Sequence, residues 1–280
     1  MKHKEKLVEL FKKILHDSDL KCYSKNRKLS EFDYFDAYLD FIDNSFHYSR
    51  FKTVVKGIQI TGKYLNEKVN KWINHNIFYK MYTVMLDEYK KKFKSNTLHI
   101  DGKIITNKLC TDSSKMGRNT RYKSKKSINL QAITDEFGIP SGFGILKGSA
   151  SEISNMIDVL NKINIEDVNY SKKSNKHKKY FTADAGYNSK ENVEYLTKKG
   201  YSPLIWNNPR NTKNKKLLEK KKLKGKKLEK YKKRHIIENF FSWMESKIPR
   251  LGRIYDKKIK NYLNTIYMSS TMLIFGRMCV

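Results

Sequence analysis

The sequence predicts an α/β protein: a small all-α region, residues 1–95, followed by a mixed five-stranded sheet with helices, residues 96–280. Three observations carry that expectation. Apolar residues recur at helical spacing from Leu7, Leu10, Phe11 and Ile14 onward to about Phe93. From Asn96 the period shortens, and brief apolar runs alternate with turn residues. Finally, Lys179–Ser189 passes from a short apolar run into Asp184, then small residues and Gly186, then Asn188-Ser189, a helix N-cap signal. That pattern describes a buried strand that ends on a carboxylate and turns into a helix. In open α/β sheets, ligands and catalytic groups gather at such strand ends.

In the N-terminal region, Ser30 can cap a second helix with Phe32, Phe35, Leu39 and Ile42 inward. A short segment, Phe51–Ile60, ends near Gly62. Tyr64, Leu65, Val69 and Trp72 form the next stripe, with Trp72 read as core. Asn74-His75-Asn76 breaks it before Phe78, Met81, Tyr82, Met85 and Leu86. Helices joined by short turns in a basic context suggest helix-turn-helix DNA recognition by residues 1–95.

In the second region Leu98-His99-Ile100-Asp101 is a strand with an acid near its middle, and Gly102 permits close backbone approach. Asp112–Lys126 reads as a loop bearing Arg118 and Arg121. Ile128, Leu130 and Ala132 mark the second strand, Asp135–Gly138 a turn, and Pro140–Leu146 the third strand. Ser151 caps a helix carrying Ile153, Ile157, Leu160 and Ile163; Lys172–Lys179 is a basic loop. The fourth strand, Tyr180–Thr182, leads to Asp184; a helix from about Ser189 to Lys199 and a fifth strand, Tyr201–Trp206, follow. Lys213–Arg234 holds thirteen basic residues against Glu219 and Glu229 and reads as a phosphate-contacting segment. A helix from about Tyr231 to Lys247 buries Ile236, Ile237, Phe240, Phe241 and Met244 and places Tyr231, Arg234, Glu238 and Glu245 on another face. Glu238, among residues that bury the helix, is expensive there unless paired or bound to metal; the other reading is a rim glutamate paired with Arg234 four residues earlier. This order of elements is the ribonuclease-H-like arrangement.

The charge points to the substrate. There are 59 basic and 28 acidic residues, a formal net charge of +31, which favours a polyanion and most simply nucleic acid. Lys outnumbers Arg, and Asn, Ile and Tyr are abundant, as AT-rich coding produces; that bias alone does not create the excess of bases over acids. Cys22, Cys110 and Cys279 are scattered without zinc spacing, so neither a disulfide framework nor a structural zinc is expected. Met1–Asp19 is too charged for a signal peptide, and the apolar run Tyr262–Val280 is broken by Asn264, Thr265, Ser269, Ser270 and Arg277, so it is read as a core helix and no membrane is expected.

Asp101, Asp184 and Glu238 lie on three elements whose topology can bring them together. Converging carboxylates repel, and a divalent ion relieves the repulsion. Their hard oxygens select Mg²⁺ or Mn²⁺. Two ions about 3.5–4 Å apart would serve phosphodiester chemistry. Here the chain resembles the DDE transposases of bacterial insertion sequences, the group with a Tyr-x2-Arg-x3-Glu-x6-Lys signature. Leu98–Gly102, Thr182–Ser189 and Tyr231…Arg234…Glu238 carry the resemblance, which spans roughly residues 96–275. It implies that Asp101, Asp184 and Glu238 are the catalytic, metal-binding triad and that Tyr231 and Arg234 contact DNA phosphates. Lys232, Lys233, Arg250 and Arg253, with Arg118 and Arg121, are further candidate DNA contacts. The implied partners are double-stranded DNA, both terminal inverted repeats and target, and a second copy of the chain. The implied location is cytoplasmic and nucleoid-associated in a bacterium, or nuclear or viral-factory in a eukaryotic or viral host. One departure stands out: the signature's final Lys falls on Glu245, and Lys247 lies nine residues from Glu238, on the opposite side of the helix. Three rivals follow: a decayed or domesticated DNA-binding descendant, a ribonuclease-H-like nuclease without strand transfer, and a basic architectural DNA-binding protein.

Overall fold

The computed structural model describes residues 2–18, 20, 28–44, 47–163, 178–206 and 223–278. Cys22, Cys279, most of the expected basic loop at 172–179 and residues 213–222 of the basic run lie outside them. The chain divides into two compact units. The first comprises Met1–Phe93, Asn107–Ser113 and Met244–Val280; the second comprises Lys94–Thr106 and Ser114–Trp243. Residues 244–280, expected with the sheet, thus group with the helical unit.

The helical unit contains α1 (Lys2–His16), α2 (Glu31–Asn44), a hairpin of β1 (Lys52–Val55) and β2 (Ile58–Thr61), α3 (Gly62–Asn74) and α4 (Ile77–Lys92). The segment Phe51–Ile60 is therefore largely strand. Lys56 and Gly57 both take positive φ, 49° and 75°, which gives the turn the twist that two-residue hairpins need. Trp72 is fully buried, with the rings of Phe11, Phe35, Tyr38 and Phe78 between 5.0 and 6.3 Å away. Its indole N–H donates to Glu31 Oε2 at 2.9 Å, and Lys68 pairs with the other carboxylate oxygen. The buried acid is thereby fully partnered, the condition under which burial of a charge is tolerated. The last helix, α9 (Ile259–Met278), packs on α4: Tyr267 meets the rings of Tyr79 and Tyr82 at 5.0 and 5.3 Å. Tyr262, Ile266 and Ile274 on α9 are fully buried, which is why the C-terminal run joins this unit. Among the described residues no helix is long and apolar enough to cross a membrane.

The second unit is built on β3 (Thr97–Asn107), β4 (Gly117–Asn119), β5 (Lys125–Asp135), β6 (Pro140–Lys147), β7 (Tyr180–Ala183) and β8 (Ser202–Ile205). The main path of the sheet is β6-β5-β3-β7-β8. Pairs β3/β5 and β5/β6 are antiparallel, and β3/β7 and β7/β8 are parallel. The short β4 pairs with the start of β5, so the stretch read as loop includes a strand. At the β5–β6 turn the Asp135 carboxylate accepts the N–H groups of Phe137 and Ile139, and Gly138 takes φ 81°. Helices α5 (Glu152–Ile163) and α6 (Lys190–Lys198) lie in the connections into β7 and β8. Ile100, Ile133, Met156, Val159, Leu160, Phe181 and Leu196 form the core between sheet and helices. This is an α/β, ribonuclease-H-like unit: a three-stranded antiparallel meander extended on one side by two parallel strands with helical crossovers.

The expected helix from Tyr231 to Lys247 is instead three pieces. They are α7 (Gly225–Lys232), a 3-10 turn at Lys233–His235, and α8 (Ile236–Lys247). Ile237, Phe240, Phe241 and Met244 form the buried stripe of α8.

Candidate active site

Asp101 sits in mid-strand on β3. The parallel register of β3 and β7 runs Thr97↔Tyr180, Leu98↔Phe181 and His99↔Thr182. The same offset, two residues on, puts Asp101 level with Asp184, which follows directly after β7. Neighbouring strands lie about 4.8 Å apart, and Asp184 is near enough for its charge to act on the Asp101 carboxyl. Asp184 caps the 3-10 turn Ala185–Tyr187, its Oδ1 accepting the Ala185 N–H at 2.7 Å. Asp101 Oδ1 accepts the Gly102 N–H at 2.8 Å.

The third element arrives through Arg234. Its Nη1 donates to Asp101 Oδ2 at 3.1 Å, and its Nη2 lies 3.8 Å from Glu238 Oε1. Arg234 and Asp101 are about one-fifth exposed at 19% and 21%, whereas the Glu238 side chain is 59% exposed. Of the two readings of Glu238, the structure has the rim glutamate: the residue lies beside the buried stripe of α8 and meets Arg234 one turn earlier. Tyr231 stands 5.6 Å, ring to ring, from Trp206, and burial raises its phenol above the ordinary value.

Arg234 is attached to Asp101, yet the Asp101 carboxyl is pushed up to about 6. Burial is the largest cause; Glu152 and Asp184 add to it, and together they outweigh the Gly102 N–H and the guanidinium. Two positions earlier His99 is fully buried, its Nδ1 2.6 Å from Thr182 Oγ1. Burial, reinforced by Arg234 and the nearby bases, lowers its pKa to about 4, so the ring is neutral at pH 7.

A fourth acid was not foreseen from sequence. Glu152, the first residue of α5, accepts Asn129 Nδ2 at 2.8 Å; Asn129 Oδ1 accepts Gln131 Nε2 at 2.8 Å, and Gln131 Oε1 accepts the Tyr187 hydroxyl at 2.7 Å. A Cβ at Gly102 would stand 2.2 Å from Gln131 Nε2, 2.3 Å from Glu152 Oε1 and 2.6 Å from Asn129 Oδ1. Asn129 and Gln131 alternate with the apolar residues of β5 and so pass for an ordinary polar face. The available signal is their register against a glycine, Gln131 lying opposite Gly102.

Of the expected DNA contacts, Arg118, Lys232, Lys233 and Arg253 are exposed, while the Arg121 side chain lies outside the described ones. Arg250 is corrected. It is 2% exposed, donates to Asp256 Oδ1 at 2.9 Å, and lies over the rings of Phe41 and Tyr48 at 4.5 and 5.3 Å. Its role is internal packing and charge balance.

Among the described residues no three His, Cys, Asp or Glu side chains are grouped closely enough to hold a metal ion. Asp101, Asp184 and Glu238 each offer carboxylate oxygens, the donor type that hard divalent cations take. Arg234 supplies the compensating positive charge in this arrangement.

No curated protein matches the chain. Three solved structures are similar over most of its length. The catalytic domain of Mos1 mariner transposase is 12% identical, covering 71% of this chain and 91% of that one, with a TM-score of 0.27. The Mos1 transposase paired-end complex with the left transposon end is 12% identical, covering 82% and 83%, with a TM-score of 0.25. The Mos1 mariner paired-end complex with Mn is 11% identical, covering 98% and 87%, with a TM-score of 0.25. The transposase DDE domain family matches residues 92–272, well over half of the sequence and the whole span that carries Asp101, Asp184 and Glu238. The chain belongs to the DDE transposases.

Proposed function

We propose that this transposase binds the terminal inverted repeats of its own element, cuts DNA there and joins the freed 3′ end to a target, acting as a homodimer that pairs two ends. The supporting observation is the strand register that sets Asp101 level with Asp184, with Arg234 bridging Asp101 and Glu238. Asp101, Asp184 and Glu238 would hold divalent ions, Mg²⁺ or Mn²⁺, whose chemistry when bound is activation of the attacking oxygen and neutralisation of charge on the phosphodiester. The Gly102 and Ala185 N–H groups fix one oxygen of each aspartate. Arg234 and Tyr231 meet the DNA phosphate beside the scissile bond, Arg234 exchanging a carboxylate for a phosphate oxygen as partner. The exposed Arg118, Lys232, Lys233 and Arg253 hold the flanking backbone, and the helices of residues 1–95 bind the repeat.

The experiment is Mn²⁺-dependent cleavage and joining of DNA bearing the repeats that flank the coding sequence, comparing wild type with Glu238→Gln. Wild type should cut and join, and the variant should bind without cutting. A second reading, a DNA-binding relic, is favoured by Glu245 at the position where the signature has Lys. That reading becomes the account if wild type and variant bind equally and neither cuts with any divalent ion.

A further inference from the structure

We infer that the β1–β2 hairpin is the element of residues 1–95 that enters the duplex, reading A·T pairs in the major groove through Gln59, Val54 and Thr61 while Lys52 meets a phosphate. The inference rests on the proposed binding of the terminal repeats and names the element that makes the contact.

The pleat divides the hairpin into two faces. The register pairs Lys52 with Thr61, Thr53 with Ile60, Val54 with Gln59 and Val55 with Ile58. Alternation therefore puts Thr53, Val55, Ile58 and Ile60 on one face and Lys52, Val54, Gln59 and Thr61 on the other. The first face is covered in part or in full, with Ile60 1% exposed. All of the second face is exposed, Val54 at 66%. The ribbon is fixed at both ends. At its base the Gly62 N–H donates to the Phe51 carbonyl at 2.9 Å, and in its turn Lys56 pairs with Asp33 of α2 at 2.9 Å.

Charge singles out the same element. No acid occurs between Asp43 and Glu67, a stretch that holds Arg50, Lys52, Lys56 and Lys63. The helices around it differ. On α2 stand Glu31, Asp33, Asp36, Asp40 and Asp43, and no base. On α1, Glu5 and Glu9 are exposed beside Lys6, Lys12 and Lys13. A helix-turn-helix built on α3 and α4 would lay α4 in the groove. That helix instead packs against α1, α3 and α9, buries seven of its sixteen residues and exposes Asp87 and Glu88. Its bases Lys90, Lys91 and Lys92 gather in the last turn, where the helix dipole favours them. A polyanion therefore meets the least repulsion at the hairpin.

The outer face also has the chemistry of a base reader. A two-stranded ribbon fits the major groove, which is roughly 12 Å wide. Strands of four residues, at about 3.4 Å per residue, reach about four base pairs. A Gln amide takes N6 and N7 of an adenine together, and apolar groups such as Val54 meet the thymine methyl. The Thr61 hydroxyl is used as the N-cap of α3, so its contribution to the groove is its methyl.

The test measures binding of the full chain to a fluorescein-labelled duplex bearing the repeat that flanks the coding sequence, against a scrambled duplex of the same composition. Gln59→Ala should weaken binding to the repeat about 5–100-fold, the worth of one bidentate base contact, and leave the scrambled duplex unchanged. Lys52→Gln should weaken both alike and lower the slope of log K against log salt by about one. Replacing the adenines of the repeat one at a time by 7-deazaadenine removes the N7 acceptor without touching the protein. At one position wild type should lose affinity and Gln59→Ala should not. Unchanged preference for the repeat in Gln59→Ala, or the absence of such a position, overturns the hairpin contact and leaves repeat binding standing. Wild type with no preference for the repeat overturns repeat binding itself, and the hairpin contact with it. Loss of dimerisation in Gln59→Ala at unchanged DNA affinity assigns the face to a second copy of the chain and overturns the DNA contact.

Discussion

Replacing Asp101 by Asn should stabilise the ion-free protein at pH 7, although it cuts the contact with Arg234 at 3.1 Å. The carboxyl is pushed from 3.8 up to about 6 by burial, helped by Glu152 and Asp184 against the Gly102 N–H and the guanidinium. The folded protein therefore holds this proton more tightly than the unfolded chain does. The resulting stability is complete below the unfolded value and is lost as pH rises through the folded one. A shift of about two pH units corresponds to about 3 kcal/mol. Asn stays neutral and keeps that stability, but its amide has a single oxygen where the carboxylate uses two, one for the Gly102 N–H and one for Arg234. The expected gain is therefore roughly 1–3 kcal/mol at pH 7, shrinking to nothing near pH 4. His99 titrates with the opposite sign: its pKa is lowered to about 4, so its contribution is present above its ordinary value and lost as pH falls. It is common to both proteins and drops out of the difference. Urea unfolding in EDTA at several pH values measures the gain, with Trp206 and Trp243 reporting on the sheet unit. A variant less stable than wild type at pH 7, or a gain equal at pH 4 and pH 7, would refute the balance of burial over ion pairing on which the description of the site depends.

Two other substitutions separate structural arginines from functional ones. Arg250→Met should cost about 3–5 kcal/mol, because it leaves Asp256 charged and buried; the Asp256 side chain is 5% exposed. Arg250→Met/Asp256→Leu should recover most of that loss in the same denaturant titration, with DNA affinity unchanged. Arg234→Gln should instead lower DNA affinity and reduce the slope of log K against log salt by about one; a slope equal to wild type in a fluorescence titration removes Arg234 from the phosphate contacts.

The parts of this fold that were legible in the sequence are those governed by local rules. The strand ending at Asp184 was marked by an apolar run, small residues and the Asn188-Ser189 cap, and Ser189 does accept the Asn192 N–H. Trp72 was readable as core because it shares a helical stripe with Leu65 and Val69, all three now buried. What escaped was set by contacts distant in sequence. Arg250 and Asp256 look like surface charges until α2 and the following turn supply Phe41 and Tyr48 around them. Glu238 and Ile237 are neighbours in sequence on opposite sides of a boundary that only the helix's final rotation decides. The 3-10 turn at Lys233–His235 shifts that rotation, and the uninterrupted spacing of Tyr231, Arg234 and Glu238 conceals it. Glu152 carries no local signature at all. Its placement depends on a glycine fifty residues earlier and two amides on the neighbouring strand.

The distribution of acids argues for function more strongly than any single one of them. Two acids buried for structure have a base, Glu31 with Lys68 and Asp256 with Arg250, and a third, Asp135, accepts two backbone N–H groups. Asp33 and Asp36, nearer the surface, have Lys56 and Lys4. In a protein with net charge +31 such pairing is easily met. In the middle of β3 and just past β7 the pattern differs. Asp101, Asp184 and Glu238 act on one guanidinium, and the Asp101 carboxyl is raised by burial first and by Glu152 and Asp184 after it. Packing alone does not call for that deficit of positive charge, since an amide at any of these positions would lessen the repulsion. A divalent cation would cancel it, and Arg234, already touching two of the three acids, would then be released toward the phosphate backbone. The same carboxylate that weakens the ion-free fold would give an incoming ion its affinity, so stability in EDTA and affinity for Mn²⁺ should change in opposite directions in Asp101→Asn.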